Sequence, residues 1–199
     1  MSAKIFTWVG HPASDSLSHA LIAAYEKGVE SQNGQVRRLR LDQMDFKMNL
    51  SEGYNQRMEL EADLLAWQKA LTWCTHTCWA YPMWWGSMPA KMKGAIDRAL
   101  LPGFGFSYHE TDPFWDRLLK GRSGEVMITA DTPDWFDRLT SASPVRKQVK
   151  KKVMEFVGIK PVRTHYFAAT RYADEKKIEG WKARAFKAGA RAARRTDRS

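Results

Sequence analysis

The chain alternates between short apolar runs typical of buried strands and stretches in which apolar residues recur every three or four positions, as on one helix face. The run from Lys4 to Val9 predicts the first strand, and the stretch from Ser16 to Ser31 predicts the helix that follows it. The same alternation predicts further strands at 35–41, 76–82, 124–130 and 163–169, and further helices at 58–73, 90–101, 143–158 and 174–193. Five strands alternating with five helices predict a doubly wound α/β domain, because parallel strands need crossover connections and helices usually provide them.

The second predicted strand differs from the others in its polarity. Residues 35–41 alternate between polar and apolar side chains. A strand that is buried on both faces has a continuous apolar run, so we expect this strand nearer an edge of the sheet than its centre.

Two connections are long for a compact domain, residues 42–56 and 102–123. Long loops are usually either functional or flexible. The second one contains Phe104, Phe106, Tyr108, Phe114 and Trp115, and we expect so aromatic a segment to pack rather than to remain flexible.

Length and composition suit a single domain over residues 1–199, with a frayed basic tail from about residue 194. At 199 residues and 44% apolar side chains the chain is long enough to bury a core. No stretch approaches the roughly 18 uncharged apolar residues of a membrane span, and the apolar run near the N-terminus is too short for a signal peptide. We therefore expect a cytoplasmic protein without integral membrane association.

The net charge of +10 raises the question of a nucleic-acid partner. Residues 143–199 carry 17 Lys and Arg against 5 Asp and Glu, a balance of +12, which leaves a balance of −2 for residues 1–142. The excess is therefore confined to the C-terminal part, and it includes the basic stretches RKQVKKK and KARAFKAGARAARRTDRS, which resemble the solvated faces of two helices followed by a frayed end. A basic face without a known binding module mainly confers solubility, so we expect no nucleic-acid partner.

The segment CTHTC contains the only two cysteines of the chain and raises the question of a metal site. In an extended strand, Cys74, His76 and Cys78 would lie on one face as three conceivable ligands. A closed zinc site needs a fourth ligand, and free cysteine commonly packs as a small apolar side chain. We expect neither a metal site nor a disulfide.

In a sheet of this class ligands bind beyond the carboxyl ends of the strands, which draws attention to the loop after the first strand. The segment GHPASDSLSHAL opens a helix, and the unpaired N–H groups of a helix N-terminus favour a phosphate. The hydroxyl groups of Ser14, Ser16 and Ser18 could add donors. An ordinary helix cap by Ser14, Asp15 or Ser16 explains the same residues, and both interpretations remain open.

Two further loops belong to the same edge. The third strand runs into YPMWWGSMP, which places Trp84 and Trp85 on a loop, and the fourth strand ends in TADTPDWF. Each indole offers roughly 150–250 Å² of apolar surface, so we expect a ligand or another part of the protein to cover it. A phosphate seat beside an aromatic loop suits a ligand with one anionic and one flat aromatic end, and flavin mononucleotide (FMN) has that shape.

Three segments in the same order, HPASDSLSHAL, YPMWWGSMPAKMKGAIDRALLPGFGFSY and GIKPVRTHYF, resemble the flavodoxin-like NAD(P)H:quinone oxidoreductase family. The resemblance covers most of the chain, and its middle segment is the most specific part. It implies a three-layer flavodoxin-like sandwich with a parallel sheet in the order 2-1-3-4-5. It also implies FMN at the carboxyl edge, NADPH or NADH as co-substrate, and a homodimer whose partner helps to wall the active site.

The resemblance also implies roles for individual residues. The flavin phosphate would be held by His11, Ser16, Leu17 and Ser18. The isoalloxazine ring would lie along Pro82, Met83, Trp84, Trp85 and Gly86. Its pyrimidine edge would be approached by Thr129, Ala130, Asp131 and Thr132. The pocket in which nicotinamide and quinone bind in turn would be lined by Phe106 and Tyr108, so ping-pong kinetics are expected.

The chain departs from the mammalian family pattern in ways that bear on function. Ser18 stands where asparagine is common, TADT replaces a Thr-Thr-Gly-Gly segment, and no Tyr/His pair follows it, which leaves the catalytic residues unassigned. The sequence also ends soon after the last predicted helix, which favours FMN over FAD. Two other functions stay open. One is a flavodoxin-type electron carrier, which the pI of about 9.7 disfavours, and the other is a regulatory flavoprotein subunit that docks on a membrane transport system.

Overall fold

The computed structural model describes residues 2–140 and 144–196, and it contains a parallel sheet with helices on both faces. The strands are β1 (Lys4–Val9), β2 (Gln35–Arg40), β3 (His76–Pro82), β4 (Phe106–Tyr108), β5 (Trp115–Arg117), β6 (Ser123–Ala130) and β7 (Val162–Ala168). The helices are α1 (Leu17–Glu30), α2 (Ala62–Trp73), α3 (Ala90–Ala99), α4 (Asp134–Thr140), α5 (Pro144–Lys147), α6 (Glu155–Val157) and α7 (Glu175–Thr196). A π-helical segment, Gln148–Met154, joins α5 to α6 into one helical stretch.

The central sheet has five strands in the order β2-β1-β3-β6-β7, and all of its strand pairs are parallel. Counted along this sheet alone, the order is 2-1-3-4-5, so the predicted topology is confirmed. The position of β2 at one edge confirms the interpretation of its alternating polarity, because no strand of the described residues lies along its outer side.

Alternate side chains of the central strands pack into two apolar cores, one on each face of the sheet. On one face Trp8 packs edge to face against Trp67 of α2 and Trp79 of β3, with ring centroids 5.3 and 5.2 Å apart. On the other face α1 and α7 approach each other at backbone distance. A Cβ added to Gly28 or Gly189 would lie about 2 Å from a carbonyl oxygen of the facing helix, so both positions require glycine.

Several predicted boundaries are wrong. The helix α2 begins at Ala62 rather than at residue 58, because Glu59 and Glu61 remain outside the helix and bind the buried Arg98 side chain. At the C-terminus, α7 continues to Thr196, so Arg194 and Arg195 are helical rather than part of a frayed tail. The predicted start of the helix at residue 143 and the tail residues 197–199 lie outside the described residues.

The long aromatic loop packs against the protein only in part, since Phe106 is buried whereas Tyr108 and Phe114 are exposed. It forms the antiparallel hairpin β4–β5, and Trp115 stacks on Phe156 with ring centroids 4.4 Å apart while its indole N–H donates to the Phe156 carbonyl at 3.0 Å. Along residues 2–140 and 144–196 no helix combines the length and apolarity needed to cross a bilayer.

Candidate functional site

The loops that follow β1, β3 and β6 come together at the carboxyl edge of the sheet. The Gly10 N–H donates to the Ala80 carbonyl at 2.7 Å, and the Met83 N–H donates to the Thr129 carbonyl at 2.8 Å. The rings of His11 and Trp84 lie edge to face with centroids 5.6 Å apart. These contacts confirm that the three loops share one rim.

The N-terminus of α1 leaves hydrogen-bond donors without acceptors. Ser16 is the N-cap residue, but its hydroxyl does not bind a backbone N–H of the first turn, and that turn has no acidic side chain. Within the described residues the backbone N–H groups of Leu17 and Ser18 have no acceptor, and the buried Ser18 hydroxyl has no partner. Of the two interpretations left open by the sequence, this geometry favours the phosphate seat, because the positive end of the helix stays uncompensated.

A chain of polar side chains orients the Ser16 hydroxyl. It lies 2.9 Å from Nδ1 of His19, and Nε2 of His19 lies 3.3 Å from Oδ1 of Asp42. Arg40 donates to both carboxylate oxygens of Asp42. Burial works to raise the pKa of Asp42, but the hydrogen bonds from Arg40 and His19 outweigh it and hold that pKa below its ordinary value. The ionised carboxylate therefore favours the His19 tautomer with a proton on Nε2, which leaves Nδ1 to accept from Ser16.

His11 lies in the same loop between β1 and α1, nearer to its start. Its Nδ1 accepts a hydrogen bond from the Ala13 N–H at 3.0 Å, and burial lowers the pKa of its ring. A neutral ring packed against Trp84 connects the phosphate side of the rim to its aromatic side.

The two tryptophans form a narrow turn that projects from the rim. Trp84 and Ser87 exchange backbone hydrogen bonds of 2.9 Å in both directions, and the two residues between them, Trp85 and Gly86, have φ of +51° and +72°. Positive φ at both central positions is the pattern of a type I′ turn, which glycine adopts freely and tryptophan does not. The Trp85 side chain is fully exposed, and Trp84 is about half exposed although its ring contacts that of His11.

The loop after β6 is held by the turn after β7. Asp131 accepts hydrogen bonds from the Thr170 hydroxyl at 2.6 Å and from the Arg171 N–H at 2.8 Å, which together lower the pKa of its carboxyl. Ala130 and Thr129 are buried, and Thr132 is partly exposed beside them. All four predicted residues of this loop, 129–132, therefore lie at the rim.

Two side chains, Tyr166 and Arg146, support the loop after β6. The sequence alone does not indicate this role. The Tyr166 hydroxyl donates to the Thr132 carbonyl at 3.3 Å, and the Arg146 guanidinium lies 4.0 Å from the centroid of the Tyr166 ring. Arg146 also pairs with Asp134 and with the buried Asp137, both on α4. Burial raises the pKa of Tyr166 to about 12, so its hydroxyl stays protonated and keeps its donor role.

The short helix α4 adds apolar surface next to this rim. Trp135, Phe136 and Leu139 project from it with large exposed fractions. The segment has no clear apolar period, and the ion pairs of Arg146 with Asp134 and Asp137 connect this helix to α5.

Phe106 and Tyr108 lie elsewhere in the same chain. Their rings are 5.0 Å apart, and the Phe106 ring packs against that of Phe156. Phe156 lies about two helical turns after Gln148, and Gln148 accepts a hydrogen bond from Ser87 at the end of the tryptophan turn. Phe106 is buried and Tyr108 is exposed at a cavity of about 240 Å³. The structure of one chain does not bring them into contact with the tryptophan turn, and their place in a substrate pocket stays a prediction.

The CTHTC segment forms part of the core. Cys74 packs in the core that contains Trp79, whereas Cys78 lies in the core on the opposite face of the sheet, and both are free thiols. Burial raises the pKa of Cys74 to about 12 and that of Cys78 well above its ordinary value, so both stay protonated. Among the described residues no group of three or more His, Cys, Asp or Glu could hold a metal ion.

Known proteins are similar to this chain in sequence and in fold. It is 31% identical over 151 residues to the ribosyldihydronicotinamide dehydrogenase-like protein traD of Penicillium crustosum, covering 63% of this chain but only 57% of that relative. Its fold is similar to the NAD(P)H:quinone oxidoreductase from Methanothermobacter marburgensis (TM-score 0.81, 21% identity, 96% of this chain and 98% of that one). It is also similar to the FMN-dependent NADH-azoreductase from Bacillus anthracis in complex with FMN (TM-score 0.67, 21% identity, 96% and 99%).

A family match extends over nearly the whole chain, from residue 3 to residue 188. This range contains the complete five-stranded sheet and all three loops that meet at its carboxyl edge. The chain therefore belongs to the Flavodoxin_2 family, described as Flavodoxin-like fold.

Proposed function

We propose that this protein is an FMN-dependent NAD(P)H dehydrogenase that reduces quinones or similar flat acceptors. The observation that carries the proposal is that a helix N-terminus with free donors and an exposed tryptophan turn lie on one rim, bridged by the contact between His11 and Trp84. The names of the similar proteins support the same chemistry.

The α1 end of the rim fits the phosphate of FMN. The N–H groups of Leu17 and Ser18 and the buried Ser18 hydroxyl are donors without described partners, and a phosphate dianion would satisfy all three. A buried hydroxyl without a partner is unfavourable, so an anionic group here would remove a cost that the chain alone leaves in place.

The other end of the rim fits the ring system. The indoles of Trp84 and Trp85 offer exposed apolar surface, and the backbone N–H groups of Trp85 and Gly86 have no described acceptor. Those N–H groups are free to donate to the polar edge of a flat heterocycle. Residues 129–132 would approach its pyrimidine side.

When bound, FMN would supply hydride transfer between a nicotinamide and the acceptor. The chain's own residues would hold the ring, exclude water from one face and keep the loop around Thr132 in place through Tyr166 and Arg146. If one site serves donor and acceptor in turn, the kinetics are ping-pong. Because Phe106 and Tyr108 lie apart from the rim within one chain, we propose that a second copy in a homodimer brings these residues to the site.

The absorption spectrum of the purified protein tests this function. After addition of FMN and desalting, we expect a retained flavin spectrum, and anaerobic NADPH or NADH should bleach it. Absence of flavin after desalting at any FMN concentration would contradict the proposal. Retained flavin that neither nicotinamide reduces would instead favour an electron carrier.

The substitution Trp85→Asn should separate stability from binding. Asparagine followed by glycine is the preferred type I′ pair, and tryptophan at positive φ costs about 1 kcal/mol, so the free energy of unfolding should rise by roughly 0.5–1 kcal/mol. Loss of the indole should weaken FMN binding by roughly threefold to tenfold, the usual worth of an aromatic contact. Urea denaturation and fluorescence titration with FMN measure the two effects.

The variant Trp85→Ala is the matched control, since it removes the same indole without improving the turn. It should weaken FMN binding equally and leave stability near that of the wild type. Unchanged FMN affinity in both variants would show that the indole does not contact the ring.

A further inference from the structure

A second cleft lies at the amino-terminal edge of the sheet, opposite the rim described above. It is lined by residues at the starts of three strands, among them His76 of β3, Ser123 of β6 and Arg163 of β7, and by Arg195 of α7. Its volume is about 360 Å³, within the range of sites for small ligands. The fold and the proposed flavin chemistry give this cleft no role.

The charge of the cleft is strongly positive. Among the described residues that line it, four side chains are cationic, Arg122, Lys160, Arg163 and Arg195, and one is a carboxylate, that of Glu125. Glu125 is buried and already engaged, because Arg191 donates to one of its oxygens at 3.2 Å and His165 lies 3.5 Å from the other. Burial works to raise the pKa of Glu125, but contacts with His165, His76 and Arg191 hold it below its ordinary value.

The lining cations differ in how far they are fixed. Arg122 uses three N–H groups on the carbonyls of Leu71, Thr72 and Lys120, which holds its guanidinium at the wall and leaves two of its five N–H groups. Within residues 2–140 and 144–196, no carboxylate pairs with Lys160, Arg163 or Arg195. Their charges are therefore available to an anion.

A neutral histidine supports one wall of the cleft. Nδ1 of His76 lies 2.7 Å from the Ser123 hydroxyl, and this contact orients the hydroxyl at the start of β6. Burial, with help from the nearby arginines, lowers the pKa of His76 to about 4, so at neutral pH the ring adds no charge of its own. The site thus combines a fixed arginine, three cations that pair with no carboxylate of the described residues, and an oriented hydroxyl.

We propose that this cleft binds the phosphate group of a small ligand that carries at least two negative charges. Arginine forks match phosphate oxygens in pairs, and several of them around one concavity suit a multiply charged oxyanion. A cleft of this size encloses a small phosphate compound, whereas an extended polyanion would need a continuous basic groove. The site is independent of FMN because it lies at the other end of the strands.

Calorimetric titration with pyrophosphate tests this site, with the protein saturated with FMN so that the proposed phosphate seat at α1 is filled. The wild-type protein should bind one pyrophosphate. The double variant Lys160→Ala/Arg163→Ala should bind it at least about tenfold more weakly, because charged hydrogen bonds to phosphate are among the strongest side-chain contacts. Neither side chain forms an ion pair within the part of the chain that the structure describes, so the variant should melt within a few degrees of the wild type.

The double variant Lys151→Ala/Lys187→Ala is the control, since it removes the same charge from exposed positions outside the cleft. It should bind pyrophosphate within about twofold of the wild type, with general screening as the only difference. Equal weakening in both double variants would show non-specific attraction and overturn the proposal. Absence of saturable binding, or binding that appears only without FMN, would overturn it as well.

Discussion

Replacing Ser16 with aspartate is expected to stabilise the protein and to weaken FMN binding by roughly a thousandfold. Ser16 occupies the N-cap of α1, but its hydroxyl caps no backbone N–H. An aspartate there can accept from the first-turn N–H groups and adds a negative charge at the positive end of the helix, a gain of about 1 kcal/mol. The same carboxylate would compete with a phosphate for those donors and repel it, by about 4 kcal/mol at 4 Å with an effective dielectric constant of 20.

The opposite signs of these two effects distinguish a phosphate seat from an ordinary cap. Thermal unfolding measures the first effect, and flavin fluorescence titration measures the second. The variant Ser14→Asp is the control, because it adds the same charge at an exposed position outside the cap and should change FMN affinity much less. If Ser16→Asp stabilised the protein and kept its full FMN affinity, the phosphate would have to bind elsewhere.

The central sheet is predictable because its signals are local and strong. The predicted bounds of β1 and β3 match the structure, since a buried parallel strand is an apolar run bounded by polar or turn residues. The hairpin β4–β5 is not predictable in this way, because strands of three residues are too short to show a period. The start of α2 depends on Arg98, more than thirty residues away, so no local pattern could locate it.

The candidate site shows the same difference between local signals, which can be predicted, and distant contacts, which cannot. The residues of the phosphate seat and the tryptophan turn stand in continuous segments, so motifs indicate them directly. The residues that orient or support these segments come from distant parts of the chain: Asp42 follows β2, Tyr166 belongs to β7 and Arg146 to α5. Sequence reasoning therefore finds the groups that would touch a ligand and misses those that hold them in place.

One of these distant contacts holds the segment between β2 and α2. Arg98 of α3 is almost fully buried, and its guanidinium donates to the Lys47 and Glu59 carbonyls, each at 2.6 Å, and to the Glu61 carboxylate at 3.0 Å. Burial works to raise the pKa of Glu61, but hydrogen bonds from the Lys47 and Glu61 N–H groups and from Arg98 hold it below its ordinary value. This single side chain thus joins both ends of the long loop to the core.

The substitution Arg98→Met is accordingly expected to lower the free energy of unfolding by about 3 kcal/mol, since two carbonyls and a carboxylate lose their shared donor and breaking a buried ion pair typically costs this much. The control Lys93→Met removes the same charge from the same helix, but its pair with Asp97 is exposed and should be worth less than about 0.5 kcal/mol. Urea denaturation gives both values. Trypsin should cleave after Lys47 or Arg57 much faster in Arg98→Met than in Lys93→Met, because only the first frees the loop. Equal stability of the two variants would mean that packing around residues 44–61, rather than Arg98, holds this segment.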